Sequence, residues 1–328
     1  MINTKTIVIA EAGINHNGKV SNALKLINIA KHSNADFVKF QIFDTEQFIN
    51  KNFKNKKINF KKIYKRFKKL EFSRKDWNKI VIFAKKKKIK IFFSVFDIKS
   101  LSLIKKLNIN LVKIPSGEIT NLPLLKLVNK FKIKTILSTG MSSLAEIKTA
   151  IKVLKNCKVE VLHCVSEYPT NIPNLNKINY LKKILRKKIG FSDHTTSVVT
   201  PALAVACGAH IIEKHFTFNK FQKIGDHKIS LNPRELSKMI QYIKIADKSK
   251  SKIVLKPSKK ENELKKLARK GIYYSKDLQA GDVIKEKNIK FLRPLAKSIP
   301  AEKYQLILNK KLKKQVKALR AVEKKHLY

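Results

Sequence analysis

Acidic residues are scarce in this chain: 23 Asp and Glu stand against 73 Lys and Arg, a formal charge of +50 on 328 residues. Such an excess of one sign raises the idea of a non-catalytic, polyanion-binding protein. The lysines, however, are spread along the whole chain, as at 85–88 and 310–314, mostly on the polar faces of expected helices. The chain is also rich in Asn and Ile, and we read the pattern as compositional drift toward A/T-rich codons. No nucleic-acid partner is expected, although the field would still draw in anionic substrates. Cysteine is nearly missing: Cys157, Cys164 and Cys207 sit in apolar runs with no paired spacing. That excludes a disulfide scaffold or a thiolate metal centre and suits a reducing cytoplasm. No apolar run approaches the roughly 20 residues that span a bilayer, so no membrane association is expected. The opening MINTKTIVIAEAGINHNG carries Glu11 and has no cleavage-site pattern, so it is not read as a signal peptide.

What is present is a large apolar fraction, 43%, arranged in periodic segments. The stretch 189–217, IGFSDHTTSVVTPALAVACGAHIIEKHFT, is the most informative. Two short apolar runs, 188–191 and 210–213, each end in a polar cluster with a histidine: Ser192-Asp193-His194 and Glu213-Lys214-His215. Between them, 198–207 is small and apolar enough for a helix packed on a sheet. Strand, helix and strand in about 28 residues make a βαβ unit, whose strands are parallel. His194 and His215 then fall at the same end of neighbouring strands, close enough to share one ion. Taken singly, each reads equally as a core histidine satisfied by a backbone carbonyl. As a pair, each beside a carboxylate, they read as metal ligands leaning on acids.

Strands are expected near residues 8, 39, 92, 112, 136, 161, 190 and 212, each followed by a helix. Eight such units in about 250 residues give a (β/α)₈ TIM barrel over 1–248. An open doubly wound sheet is the alternative, but EAGINHNG after the first strand departs from the Gly-rich phosphate fingerprint. Residues 43–70 read as irregular and basic, 249–263 as a Lys-rich linker with Pro257, and 264–328 as a small β-rich domain. In a TIM barrel the chemistry gathers at the C-terminal ends of the strands. Here those ends carry Glu11, Lys39, Gln41, Ser94, Lys113, Ser116, Glu118, Ser138, His163, Ser192, His194, Glu213 and His215.

Two imidazoles suit Mn²⁺, Fe²⁺ or Zn²⁺, with substrate or water oxygens completing the shell, and such an ion polarises a carbonyl. Lys39 and Lys113, with the hydroxyls of Ser116, Ser138 and Ser192, offer donors for a phosphate and a carboxylate. Glu11 and Glu118 are candidates for positioning hydroxyls or moving protons. The residues point to metal-assisted carbon–carbon chemistry on a phosphorylated, acidic substrate.

EAGINHNG, VKFQ, KIPSGE, LSTGM, LHCVSEYPT, GFSDHT, IIEKHFT and DHKISLNPREL, in this order, resemble the N-acetylneuraminate (sialic acid) synthase family. The resemblance covers about residues 5–295. It implies a synthase barrel joined to a C-terminal antifreeze-like, β-clip-like domain. The implied reaction condenses phosphoenolpyruvate with an open-chain N-acylated hexosamine to give a nine-carbon 2-keto acid and phosphate. By this resemblance His194 and His215 hold a divalent ion, Mn²⁺ being expected and Mg²⁺ or Co²⁺ alternatives. Lys39, Lys113, Ser116, Ser138 and Ser192 hold phosphoenolpyruvate. Glu11, Gln41, Glu118 and Tyr168 contact the sugar or position water, with Glu118 the candidate for proton transfer. Asp193 and Glu213 orient the ligands, and Arg293 reaches across a domain-swapped homodimer to the sugar's N-acyl group. The chain departs from the family at Ser166-Glu167, at Ser94-Val95-Phe96 and at Pro294-Leu295. Ser166-Glu167 resembles members that act on diacetamido sugars and make legionaminic or pseudaminic acid. A condensing enzyme for a sugar phosphate is the competing reading, though no second phosphate cluster stands beyond the strand ends.

Overall fold

The computed structural model describes residues 5–222, 224–250 and 255–328. Its strands are β1 (Ile7–Gly13), β2 (Phe37–Ile42), β3 (Lys90–Val95), β4 (Leu111–Ile114), β5 (Lys134–Ser138), β6 (Val159–Cys164), β7 (Ile189–Asp193) and β8 (Ile211–His215). They pair in sequence order, all parallel, and β8 closes on β1 with His215 opposite Glu11. The eight-unit barrel read from the apolar runs is the observed fold.

The helices that follow are amphipathic and carry clear start signals. They are α1 (Val20–His32), α2 (Thr45–Phe48), α3 (Phe60–Lys68), α4 (Arg74–Lys86), α5 (Ile98–Lys106), α6 (Leu122–Lys130), α7 (Leu144–Val153), α8 (Asn176–Leu185), α9 (Thr200–Ala206) and α10 (Pro233–Ser249). Ser73 and Asp76 form a capping box at the start of α4, as do Ser143 and Glu146 for α7. Each box satisfies two backbone N–H groups that the first turn leaves unpaired. Pro233 occupies the first turn of α10, where its missing N–H costs nothing.

Strand alternation divides side chains between the barrel interior and the helical layer. Ile9, Phe92, Ile136, Leu162 and Ile211 meet inside as one buried cluster. Burying each such side chain contributes about 1.5–3 kcal/mol. Two residues further along β1, β3, β5, β6 and β8 come Glu11, Ser94, Ser138, Cys164 and Glu213. The apolar plug therefore becomes a polar layer over one strand period.

Two expectations need correction. Residues 43–70 are not irregular throughout, since they contain α2 and α3. Phe60, Tyr64 and Phe67 recur at helical spacing, and Asn59 caps the helix by accepting from the Lys62 N–H. Phe43, Phe48, Phe67 and Phe96 stack there with ring centroids 4.8–6.2 Å apart. The supposed linker is not all linker either: Ser258 caps a helix, α11 (Lys259–Ala268), that begins within it and runs on past residue 263. Residues 251–254 of that stretch lie outside the described set.

The chain forms two compact units, Met1–Ser251 and Lys252–Tyr328. In the second, β9 (Gly271–Tyr274) pairs antiparallel with β10 (Ile289–Leu292) over a core that includes Ile272, Tyr274, Ile284 and Val322. Gln279-Ala280-Gly281-Asp282 forms a turn, with Gly281 at φ +84° and the Gln279 N–H donating to Asp282 Oδ2 at 2.8 Å.

Candidate active site

The strand ends open into a cavity of about 360 Å³ lined by Glu11, Lys39, Gln41, Ser94, Lys113, Ser116, Ser138, Tyr168, Ser192, His194, Glu213 and His215. Alternation explains the set, because these residues occupy inward positions near the C-terminal ends of the strands or just past them. It also explains two exclusions. His163 lies between inward Leu162 and Cys164, and its Nε2 meets the Pro173 carbonyl at 2.9 Å, away from the cavity. Glu118 sits in a 3₁₀ turn after β4 and does not line the cavity. Its carboxylate accepts from Asn121 Nδ2 at 2.7 Å, and burial raises its pKa against that bond. The proton-transfer position assigned to it by resemblance is therefore not supported by its placement.

At the base of the cavity four charges interlock. Lys39 Nζ is 2.8 Å from Glu11 Oε1 and donates to Ser94 Oγ at 2.6 Å. Lys113 Nζ grips both oxygens of Glu213, at 2.7 and 2.8 Å, and Ser192 Oγ donates to Glu213 Oε1 at 3.0 Å. Lys39 stands 3.7 Å from the same Glu213 oxygen, which joins the two pairs. All four side chains are buried. Desolvation pushes Glu213 up, but Lys113 and Lys39 overcome it and hold the carboxyl at about 2. Desolvation wins at Glu11: opposed by Lys39 and reinforced by the Glu213 charge, it lifts that carboxyl to about 7. One acid is thus ionised while its neighbour holds a proton close to neutrality, which is how a site separates two carboxylate roles. Glu11 Oε2 has no hydrogen-bond partner among the described residues, and neither has buried Ser138 Oγ.

Beside this ring stand the two histidines, with ring centroids 6.1 Å apart. Neither acid next to them in sequence hydrogen-bonds an imidazole directly, which corrects the expectation that the rings lean on these carboxylates. Asp193 faces the helical layer and Glu213 is engaged by Lys113. His194 Nδ1 instead donates to the Val165 carbonyl at 2.5 Å, leaving Nε2 as the lone pair that accepts from Tyr168 O–H at 3.0 Å. Tyr168 stacks on that imidazole with centroids 4.0 Å apart. Burial brings His194 down to about 4 and His215 well below its usual value, so both rings are neutral at physiological pH. His215 Nδ1 is buried without a hydrogen-bond partner, 3.7 Å from Asp226 Oδ2. Two neutral imidazoles, one with an unpartnered ring nitrogen, and the nearby Asp226 carboxyl group fit a borderline divalent cation. Among the described residues, no three His, Cys, Asp or Glu side chains converge on one point. The donor set is that of an open ion site, with room for substrate oxygens.

Two glycines lie beside site residues. A β-carbon at Gly13, whose φ is +53°, would sit 3.5 Å from both His215 Cε1 and Asp226 Oδ2. One at Gly140 would overlap Ser166 Oγ and lie 2.9 Å from Ser116 Oγ, which accepts from the Gly140 N–H at 3.0 Å.

Several lining residues were not foreseen: Asp226, Cys164, Arg66, Phe48, Phe67 and Phe96. Asp226 lies in the DHKISLNPREL run, so its signal was there without a role. Its backbone N–H donates to Asn15 Oδ1 at 2.8 Å, which anchors its loop to the NHNG turn. Burial raises the Asp226 pKa, partly opposed by Arg66 and Lys39. Arg66 was hidden in a Lys-rich run with nothing to mark it. Arg293, the remaining candidate, stands just past β10 in the C-terminal unit.

A closed parallel barrel with acids, lysines, hydroxyls and imidazoles gathered at the C-terminal rim of its strands is a (β/α)₈ enzyme scaffold with its site where that fold places it. The chain belongs to the NeuB family, whose model matches residues 26–254, and a SAF domain matches residues 269–327. It is 40% identical to the N,N'-diacetyllegionaminic acid synthase of Campylobacter jejuni, over 93% of this chain and 95% of that one. The enzyme of the same name from Legionella pneumophila is 36% identical, over 90% and 87% of the two chains. Among solved structures, the N-acetylneuraminic acid synthetase of Leptospira borgpetersenii superposes with a TM-score of 0.74 at 34% identity, covering 80% of this chain and 90% of that one.

Proposed function

We propose that this enzyme condenses phosphoenolpyruvate with a diacetamido-hexose aldehyde, giving a nine-carbon 2-keto acid of the legionaminic type and phosphate. The observation that carries this reading is the buried ring of Glu11, Lys39, Glu213 and Lys113 beside two neutral imidazoles. The diacetamido choice rests on the names of the Campylobacter and Legionella relatives and on Ser166-Glu167 after β6.

Lys113, Ser116 and Ser138 suit the phosphate. Lys39 and Ser192 suit the carboxylate end. As the methylene carbon of phosphoenolpyruvate bonds to the aldehyde carbon, negative charge grows on the aldehyde oxygen. Glu11, protonated near neutrality, is placed to deliver a proton there from its unpartnered Oε2. Water then adds to the former enol carbon, returning one proton to Glu11, and as the bond from that carbon to the phosphate oxygen breaks, the remaining hydroxyl proton leaves with the phosphate. Ionised Glu213 holds both lysine side chains in place throughout. His194 and His215, with Asp226 at hand, would hold a divalent ion, Mn²⁺ by preference, which supplies Lewis-acid polarisation of the aldehyde. Tyr168 and Gln41 face the acceptor, as do Arg66 and the phenylalanine wall. Arg293 acts in a swapped homodimer, contacting the acyl group of a sugar in the partner's barrel.

The test is phosphate release from phosphoenolpyruvate with a panel of mono- and diacetamido-hexoses, with and without Mn²⁺. Release that depends on a diacetamido sugar supports the reading. Release with no sugar, or none with any aldose, contradicts it.

A further inference from the structure

Three lysines are buried among the described residues: Lys39, Lys113 and Lys214. The first two face the cavity. Lys214 faces the other way, into the layer between barrel and helices, with no access to substrate. Its Nζ is 2.6 Å from Asp193 Oδ2, and neither side chain is exposed at all. The same ammonium donates to the Thr195 carbonyl and lies 3.4 Å from Thr195 Oγ1. Asp193 in turn accepts from the Thr195 N–H at 2.9 Å and from its hydroxyl at 3.1 Å. Asp193 and Lys214 are register partners on β7 and β8.

Stability alone does not explain the pair. Desolvating two charges offsets most of their attraction, and a well-packed apolar pair of the same volume holds a fold as well or better. What the pair does have is position. Lys214 directly precedes His215, and its three acceptors belong to the residues on either side of His194. One ammonium therefore ties the backbone that carries one imidazole to both flanks of the other, from outside the cavity. The His194 side chain is separately fixed through Val165, whereas buried His215 Nδ1 has no hydrogen-bond partner.

We infer that Lys214 is a positioning residue, whose ion pair with Asp193 sets the separation of the His194 and His215 imidazoles. This rests on the proposed function insofar as the two rings share an ion. A neutral, volume-matched double variant, Asp193→Asn with Lys214→Met, removes the clamp without stranding a buried charge. Three measurements follow on wild type and variant: thermal unfolding, Mn²⁺ affinity by calorimetry, and a crystal structure. The expected result is a folded variant whose Mn²⁺ affinity falls about 10- to 100-fold, the range for lost support behind a metal ligand. Its ring centroids should also depart from 6.1 Å. A folded variant with wild-type Mn²⁺ affinity and unmoved rings overturns the inference and leaves the pair a merely structural one. If the double variant does not fold, Asp193→Asn alone, which keeps the Lys214 contact to the Thr195 carbonyl, is read by the same two criteria. A wild type that binds no Mn²⁺ sinks the metal reading instead, and the ring separation alone then decides the clamp.

Discussion

The barrel interior has two layers that differ by one strand period and by nearly everything else. Below lie Ile9, Phe92, Ile136, Leu162 and Ile211, dry and neutral. Above lie Glu11, Lys39, Lys113 and Glu213, equally buried and all ionisable. Among the described residues, only the upper one keeps polar atoms without partners, at Glu11 Oε2 and Ser138 Oγ. The lower layer contributes stability and the upper one is organised for a ligand that completes its hydrogen bonds. Substitutions in the two layers should therefore separate folding from turnover.

The largest effect is expected from Lys113→Met. It strands Glu213, costing about 3–5 kcal/mol of stability, and lowers kcat/KM by at least about 100-fold. Chemical denaturation and steady-state kinetics on one preparation check both. Next comes Ile136→Ala in the lower layer, which should cost about 2–5 kcal/mol while leaving the KM for phosphoenolpyruvate unchanged. A stable but inactive Ile136→Ala enzyme would erase the distinction between layers.

The titration of the upper layer gives a third expectation, and the signs differ between its two acids. Glu11 is raised from 4.5 to about 7, so its contribution to stability is present below 4.5 and lost as pH rises through 7. Glu213 is lowered to about 2, so its contribution is present above 4.5 and lost as pH falls toward 2. In kcat/KM, a fall above about pH 7 should report the Glu11 proton, and Glu11→Gln should remove that limb along with most of the rate. The acid limb should follow the imidazoles, and with His194 at about 4 it should lie well below the ordinary histidine range. A basic limb that survives Glu11→Gln would reassign the proton donor.

How much of this was legible in the sequence follows from period and position. Short apolar runs, each followed by a helical segment, marked all eight strands, and alternation past each run marked most of the cavity lining. Histidines 194 and 215 were readable because one short βαβ unit carries both. What failed did so where neighbours in sequence are not neighbours in space. Asp193 stands beside His194 in the chain, yet strand alternation turns it outward onto Lys214. Glu118 follows Ser116 by two residues, but a 3₁₀ turn directs it to Asn121. His163 fell to the same alternation that puts Cys164 in the cavity. The 43–70 excursion hid Arg66 because a Lys-rich composition masks one functional cation, although Phe60, Tyr64 and Phe67 at helical spacing marked α3.

The smallest expected effect sharpens the contrast between that excursion and the ring below it. Arg66→Ala should raise the KM for the acceptor severalfold, leave the KM for phosphoenolpyruvate unchanged and barely alter stability, as for an exposed side chain. A shift in the phosphoenolpyruvate KM would place Arg66 with the anion-binding layer instead.

The most direct measurement of the central claim follows phosphate and 2-keto acid together when the enzyme meets phosphoenolpyruvate, Mn²⁺ and a diacetamido-hexose. Equimolar phosphate and nine-carbon 2-keto acid, both abolished when the sugar is left out, are the expected result. Phosphate without a matching keto acid, or no turnover with any acceptor, would contradict it.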